Sequence, residues 1–249
     1  MMTILFGGRL STGQAAALAA ATLFLSLGAV TGSAMAGDCR SYAQQGIDWS
    51  GCKKSMLIIT DSELDGANLA KTDFSFTDLR GSSMKGANLE KGKMVRASFV
   101  AAKLEGANFN KVEAYRSNFA RSTADRATFV NAEVQRADFR EAQLSGSDFT
   151  KAELGRADFR GATITGSRFT MANLARARLN GAVFTGPLDF SNTFLLLTRI
   201  EGLDLSAATG LEQEQLNLAC GDASTRLPPG LVAPAGWPCA DDPDDSNDP

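Results

Sequence analysis

The chain has 249 residues, of which 44% are hydrophobic and 21% charged, with 28 acids against 25 bases. That composition suits one folded domain with a real core and excludes a disordered polar chain. It contains no histidine, so every histidine-based triad, dyad or metal site is excluded at the outset.

Residues 1–36 read as a secretory signal peptide. Arg9 is their only charge, residues 15–30 (AAALAAATLFLSLGAV) are apolar, and Ala34-Met35-Ala36 supplies a small-x-small cleavage site. An uncleaved membrane anchor is the alternative, because roughly 20 apolar residues span a bilayer, but the apolar run fades into Thr31, Gly32 and Ser33. Cleavage after Ala36 leaves no stable membrane span and implies a periplasmic or secreted product.

Residues 37–58, with Trp49, read as an N-terminal cap. Four cysteines, Cys39, Cys52, Cys220 and Cys239, lie two near each end, in a chain addressed to a compartment where disulfides persist. The expected pairing is local, Cys39 with Cys52 and Cys220 with Cys239, since long pairings would need both ends of an elongated body to meet. Zinc ligation fails on spacing and on the missing histidines.

From Leu64 to Phe184 every fifth residue is apolar, and the residue two before each is small at every position except Val112. A helix would rotate such positions around its axis, and a strand would send successive ones to opposite faces. A strict five-residue period means that each unit is one short side of a bending coil, so every centre points inward. A 20-residue period lies on top, in EVQRADFREAQLSGSDFTKA (133–152) and ELGRADFRGATITGSRFTMA (153–172), giving four units per turn. Arg96, Arg116, Arg136, Arg156 and Arg176 recur at that spacing, as do Glu113, Glu133 and Glu153. Gly66, Gly86, Gly106, Gly146, Gly166 and Gly186 mark another corner, where the missing Cβ eases a tight turn.

The inward residues give a square section. Phe99, Phe109, Phe119, Phe129, Phe139, Phe149, Phe159 and Phe169 alternate with smaller centres, so each coil carries phenylalanine on two opposite sides and aliphatics on the other two. Each buried Phe is worth roughly 1.5–3 kcal/mol. The coil with Ala114 and Ala124 is expected to be the thinnest. After Phe184 the register slips by one at Gly186-Pro187, and weaker centres follow at Phe190, Leu195, Ile200 and Leu205.

The recurring A-[DN]-[LF]-x-x pattern (Ala67-Asn68-Leu69, Ala87-Asn88-Leu89, Ala107-Asn108-Phe109, Ala137-Asp138-Phe139, Ala157-Asp158-Phe159, Ala172-Asn173-Leu174) resembles the pentapeptide-repeat family. The resemblance covers about half the precursor and implies an all-β fold, a right-handed quadrilateral parallel β-helix, here over residues 59–205. Residues 206–240 are expected to form a C-terminal helical cap with its disulfide, because LEQEQLNLA (211–219) has helical spacing and a solenoid's ends need covering. Residues 241–249 (DDPDDSNDP) form an acidic tail expected to be disordered. Leu196 and Leu197 fall at outward repeat positions; either the C-terminal helix covers them or they form a homodimer contact.

Neither a catalytic residue, a metal site nor a cofactor site is expected. The glutamate ladder Glu113, Glu133 and Glu153 beside the arginine ladder reads first as a neutralising surface stripe, with an interaction groove for an anion or polysaccharide as the functional alternative. The reading is a non-catalytic structural or protein-binding repeat module of the bacterial cell envelope. The alternative comes from the resemblance, since some family members mimic duplex DNA and inhibit DNA gyrase. Duplex DNA carries one charge per about 1.7 Å, so a mimic on the order of 30 Å long needs about 18 net negatives. Residues 57–205 carry 18 acids and 20 bases, and the export signal also points away from DNA.

Overall fold

The computed structural model describes residues 37–240; the leader 1–36 and the tail 241–249 lie outside the described residues. Parallel backbone bridges join residues twenty apart, from Asp48 with Asn68 up to Glu153 with Asn173 and Thr163 with Val183. A chain that pairs with itself at that interval is a stack of coils of four pentapeptides each, and the architecture is the right-handed quadrilateral β-helix. Pairing runs from Asp48 to Arg226, so residues on both flanks of 59–205 share the coil geometry.

Each side of the square is built by the same local chemistry. The residue before the centre is so often Asp or Asn because its side chain accepts a hydrogen bond from the backbone N–H two residues on. Asp138 Oδ1 takes the Arg140 N–H at 2.9 Å and Asn118 Oδ1 takes the Ala120 N–H at 2.9 Å, the self-bonding that makes these residues turn formers. The centre's carbonyl then accepts from the residue three on, as Phe119 does from Ser122 at 3.1 Å. The residue two past the centre has positive φ, +57° at Arg121. Negative then positive φ inside an i to i+3 hydrogen bond is the type II turn. Repeating it every five residues turns the strand through a corner and brings the next centre inward.

The residue two before each centre must be small because the neighbouring coil lies on it. Where it is Ser or Thr, the hydroxyl finds a backbone carbonyl: Ser117 donates to Met94 O at 2.5 Å and Ser147 to Ala124 O at 2.8 Å in the preceding coil, and Ser122 to Phe119 O at 2.7 Å in its own. Buried hydroxyls are thereby satisfied rather than left as penalties.

Centres from Leu64 to Leu179 are all buried, whereas Phe184 is only half-buried. The register slip explains the difference. Arg168 bridges Asp189, twenty-one residues on, and Leu188 becomes an inward residue alongside Phe190, Leu195, Ile200 and Leu205. Parallel ring stacking, 4.8 Å between Phe109 and Phe129, opens to 5.7 Å between Phe169 and Phe190 across the slip. Across the interior, Phe119 and Phe129 sit edge-on at 5.7 Å, against 5.8 Å for Phe129 and Phe139. Beside Ala114 the edge-on distance between Phe109 and Phe119 is 5.6 Å, against 5.9 Å between Phe159 and Phe169, so the phenylalanine axis varies little from coil to coil.

Both ends carry a tryptophan and a disulfide. Trp49 is an inward centre whose indole N–H donates to Ser41 at 3.1 Å, with Lys54 Nζ 3.7 Å from its ring. Cys39 is joined to Cys52, and Gly37 crosses so close to Asp48 and Trp49 that a Cβ would strike their backbone. At the other end Trp237 lies flat on Gly221, where a Cβ would collide with the ring, and donates to Ala219 O at 2.7 Å. Cys220 is joined to Cys239. One short helix, α1 (Gln213–Leu216), buries Leu216. Its Gln215 amide donates to Phe190 O at 2.9 Å and Thr193 O at 2.8 Å, meeting carbonyls of the last turns.

Candidate functional site

Going round the coil in chain order, the four corners belong to different residue columns. The arginine column (Arg96 to Arg176) separates the face of Glu113, Glu133 and Glu153 from the face of Asn118, Asp138 and Asp158. Diagonally opposite is the column of Gly66, Gly86 and Gly106, and Lys71, Lys91 and Lys111 form the corner on the other side of the glutamates. The glycines have φ of +62° to +67°, where a side chain is disfavoured. Arg96, Arg116, Arg136, Arg156 and Arg176 hold the equivalent conformation, φ +55° to +61°, without being glycine. A left-handed backbone costs a non-glycine residue about 1–2 kcal/mol, so arginine stands at each of these corners against the local preference.

The arginine column and the aspartate-bearing face enclose a long surface groove of about 350 Å³. The corner supplies Arg116, Arg136, Arg156 and Arg176; the face supplies Asp138, Asp158, Arg140, Arg160 and Arg178, with Ser117 and Asn118 at one end. The glutamates stand across the corner, outside the groove lining. Glu113 there meets Lys93 at 3.7 Å, and Glu153 accepts from Asn173 at 2.8 Å. The glutamate ladder is thus a surface stripe, while the arginines border a concavity that the linear spacing alone left undefined.

Asp158 is the electrostatic node of this groove. Its carboxylate takes Arg160 through two charge-assisted bonds, Nη2 at 2.6 Å and Nε at 2.9 Å, with Arg140 of the coil before at 4.0 Å and Arg178 of the coil after at 3.9 Å. Asp138 holds Arg140 in the same way, with Nη2 at 2.6 Å. These bonds push the Arg140 and Arg160 guanidiniums above the usual arginine range and fix their planes. Arg136, Arg156, Arg176 and Arg178 all interact with protein groups as well. Arg116 stacks over Tyr115 with 5.5 Å to the ring, and its buried Nε has no hydrogen-bond partner.

Among the described residues no group of three or more His, Cys, Asp or Glu is arranged to hold a metal ion, and no helix is long and apolar enough to cross a membrane. All four cysteines are in disulfides. Leu196 and Leu197 part company: Leu196 is exposed beside Phe194 and Leu218, while Leu197 is half-buried and its N–H donates to Leu218 O at 2.7 Å. A second hollow, of about 460 Å³, opens at the N-terminal end between Tyr42, Trp49, Leu57, Ile58 and Ile59.

Solved structures similar to the chain include QnrB1, described as a plasmid-mediated fluoroquinolone resistance protein, at 18% identity over 75% of this chain and 92% of that one, TM-score 0.36. HetL, a pentapeptide repeat protein involved in heterocyst differentiation regulation from Nostoc sp. strain PCC 7120, matches at 17% identity over 78% and 94% of the two chains, TM-score 0.30. A pentapeptide repeat protein of the Arabidopsis thaliana thylakoid lumen matches at 26% identity over 49% and 70%, TM-score 0.22. No curated protein matches the chain. Three family models match in succession: pentapeptide repeats (8 copies) over 59–94, the pentapeptide repeat region over 92–169, and pentapeptide repeats (9 copies) over 149–193. With more than half the chain matched and its backbone paired at twenty-residue intervals, this protein belongs to the pentapeptide repeat family.

Proposed function

We propose that this chain is a rigid, non-catalytic binding or structural module, exported to the periplasm or cell exterior, whose repeated faces engage another component of the bacterial envelope. The observation that carries the reading is the pair of disulfides, Cys39–Cys52 and Cys220–Cys239, one at each end of the solenoid. Such bonds persist in oxidising compartments, and they close short loops at the two places where a stack of coils exposes core and unpaired backbone. The segments 37–58 and 206–240 act as end caps in this reading. Support comes from the Trp49 and Trp237 packing and from Gln215, which satisfies carbonyls of the last turns. Family members are in general non-catalytic binding scaffolds, which agrees with a surface free of histidine.

DNA mimicry is disfavoured on the same physical ground as before, now with a location. A surface that replaces duplex phosphate must present negative charge, and the long groove is lined by seven arginines against two aspartates. The exposed Phe194, Leu196 and Leu218 offer a contact for a second copy or for the partner.

Two measurements test the proposal. The mass of the protein recovered from its host should correspond to a chain starting at Gly37, in an extracytoplasmic fraction; a cytoplasmic product carrying the leader would overturn the location. Capture from envelope extracts should recover the same component from independent preparations, and failure to retain any component would overturn the binding role.

A further inference from the structure

We infer that a second copy of this chain docks on the N-terminal end of the solenoid, the two copies pairing antiparallel through Ile58 about a two-fold axis. The inference stands apart from the exported role proposed above, and three observations carry it.

The first is an open backbone edge. In the coils that follow, the residue before the centre turns both its backbone groups toward the preceding coil: Asp78 donates its N–H to Leu57 O at 2.9 Å and accepts from the Ile59 N–H at 2.8 Å. Ile58 is the equivalent residue of the first coil and is bridged to Asp78 on one side only. Among the described residues nothing pairs with its N–H or its carbonyl. Residues 37–43 cover other parts of this end, where Gly37 lies against Asp48 and Trp49, Cys39 is joined to Cys52 and Ser41 meets the Trp49 indole. The hollow of about 460 Å³ lies between that segment and the side of Ile58.

The second is apolar surface. Tyr42 is 92% exposed, Ile58 83%, Met56 73% and Leu57 42%. Side chains of this size present roughly 200 Å² each, so the patch is on the order of 500 Å². Two such patches joined remove about 1,000 Å² from water, the size at which specific interfaces begin. Leu57 also stands where the repeat elsewhere requires a small residue, because the preceding coil lies on it. Its bulk fits at this end, where no described coil precedes.

The third is self-complementarity, which selects a second copy. An unpaired edge is a template for another strand, and proteins that leave one exposed blunt it with proline or charge. Met56-Leu57-Ile58-Ile59-Thr60 holds neither. Antiparallel pairing on a two-fold through Ile58 sets that residue opposite itself, where the two copies exchange both hydrogen bonds. It also sets Leu57 of each copy opposite Ile59 of the other, so apolar meets apolar and no charge opposes its like. A contact of this symmetry closes at two copies.

The test is sedimentation of the purified, disulfide-bonded protein over a concentration series, together with amide hydrogen exchange at Ile58. A monomer–dimer equilibrium is expected, with exchange at Ile58 slowing as concentration rises. Ile58→Asp opposes two carboxylates at the centre of the contact and should weaken association about tenfold or more. Leu196→Asp places the same charge at an exposed site near the other end and should leave association unchanged. A monomer at every concentration, assembly beyond the dimer, or a dimer lost in Leu196→Asp but kept in Ile58→Asp would each overturn the inference. Exchange at Ile58 that is slow at every concentration would overturn it too, by giving the edge to another segment of the same chain. Exchange is read on the unaltered sequence, so it decides the matter should the aspartate variant fail to fold.

Discussion

The rings of Phe119 and Phe139, twenty residues apart, lie parallel with centroids 5.0 Å apart and planes 9° from one another. Phe129, on the opposite side of the square, meets both edge-on at 5.7 and 5.8 Å. Two stacked columns interlock along the axis, so each ring has face partners in its own column and edge partners in the other, the two arrangements that aromatic quadrupoles favour.

That interlock makes a core phenylalanine expensive to remove. Phe139→Ala is expected to cost about 3–5 kcal/mol, as for other buried aromatics, because neighbouring coils are held at the pitch of their backbone bonds and cannot collapse into the space. Phe76→Ala, at an exposed corner, is expected to stay within about 0.5 kcal/mol of wild type. Chemical denaturation of the two variants decides: near-equal losses would show that the columns do not carry the stability assigned to them.

The corners can be tested with two glycines. Gly106 has φ +67° and open space where a Cβ would go, so Gly106→Ala should destabilise by about 1 kcal/mol from backbone conformation alone. At Gly155 φ lies outside the left-handed region and an added Cβ makes only ordinary contact, 3.7 Å from Ala175 O. Gly155→Ala is therefore expected to be neutral or to stabilise by about 0.4–1 kcal/mol through the unfolded chain. A larger loss at Gly155 than at Gly106 would contradict this account of the turns.

Disulfide reduction should loosen the ends and spare the middle. The bonds close loops of sequence separation 13 and 19, each worth about 3 kcal/mol in the chain-entropy picture. Limited proteolysis of the reduced protein should cut first within 37–52 and 220–240. Early cleavage between Leu64 and Leu179 would show that the ends are not the weak points.

Acid should destabilise the protein only at low pH. Asp222 is held at about 2 by hydrogen bonds from the Ser224 hydroxyl and from backbone N–H groups, against the opposing effect of burial. Asp48 is held below the ordinary carboxylate range by Ser50, Asp78 by Arg80 and Asp204 by Ser206. A carboxyl with a depressed folded pKa contributes stability that is complete above its unfolded value, 3.8, and is lost as pH falls through the folded one. The thermal midpoint should thus be level from pH 5 to 8, where histidine would otherwise titrate, and fall between about pH 4 and 2. A decline beginning near pH 6 would contradict the assignment.

Much of this was legible in the linear chain because the repeat is local physics copied many times. One pentapeptide, with small residue, Asp or Asn, apolar centre and turn pair, makes its own corner. Its inward residue follows from that turn whatever surrounds it, so Phe119 and Phe139 could be stacked on paper. Cys39 and Cys52 could be paired for the same reason, as near neighbours at one end of a rod. The slip at Gly186 was visible too, though not that Leu188 would turn inward or Phe184 move partly outward, since that depends on where the extra residue bulges.

The sequence by itself determined the coil, its columns and the order of columns around the square, since these follow from a five-residue turn and a twenty-residue period. Only the tertiary structure decided which flanking face the corner arginines would border. A corner side chain can lie over either side, and on the face that these corners border Asp158 gathers Arg140, Arg160 and Arg178 from three successive coils. The groove exists because charges far apart along the chain meet where the coils stack, which no single repeat contains.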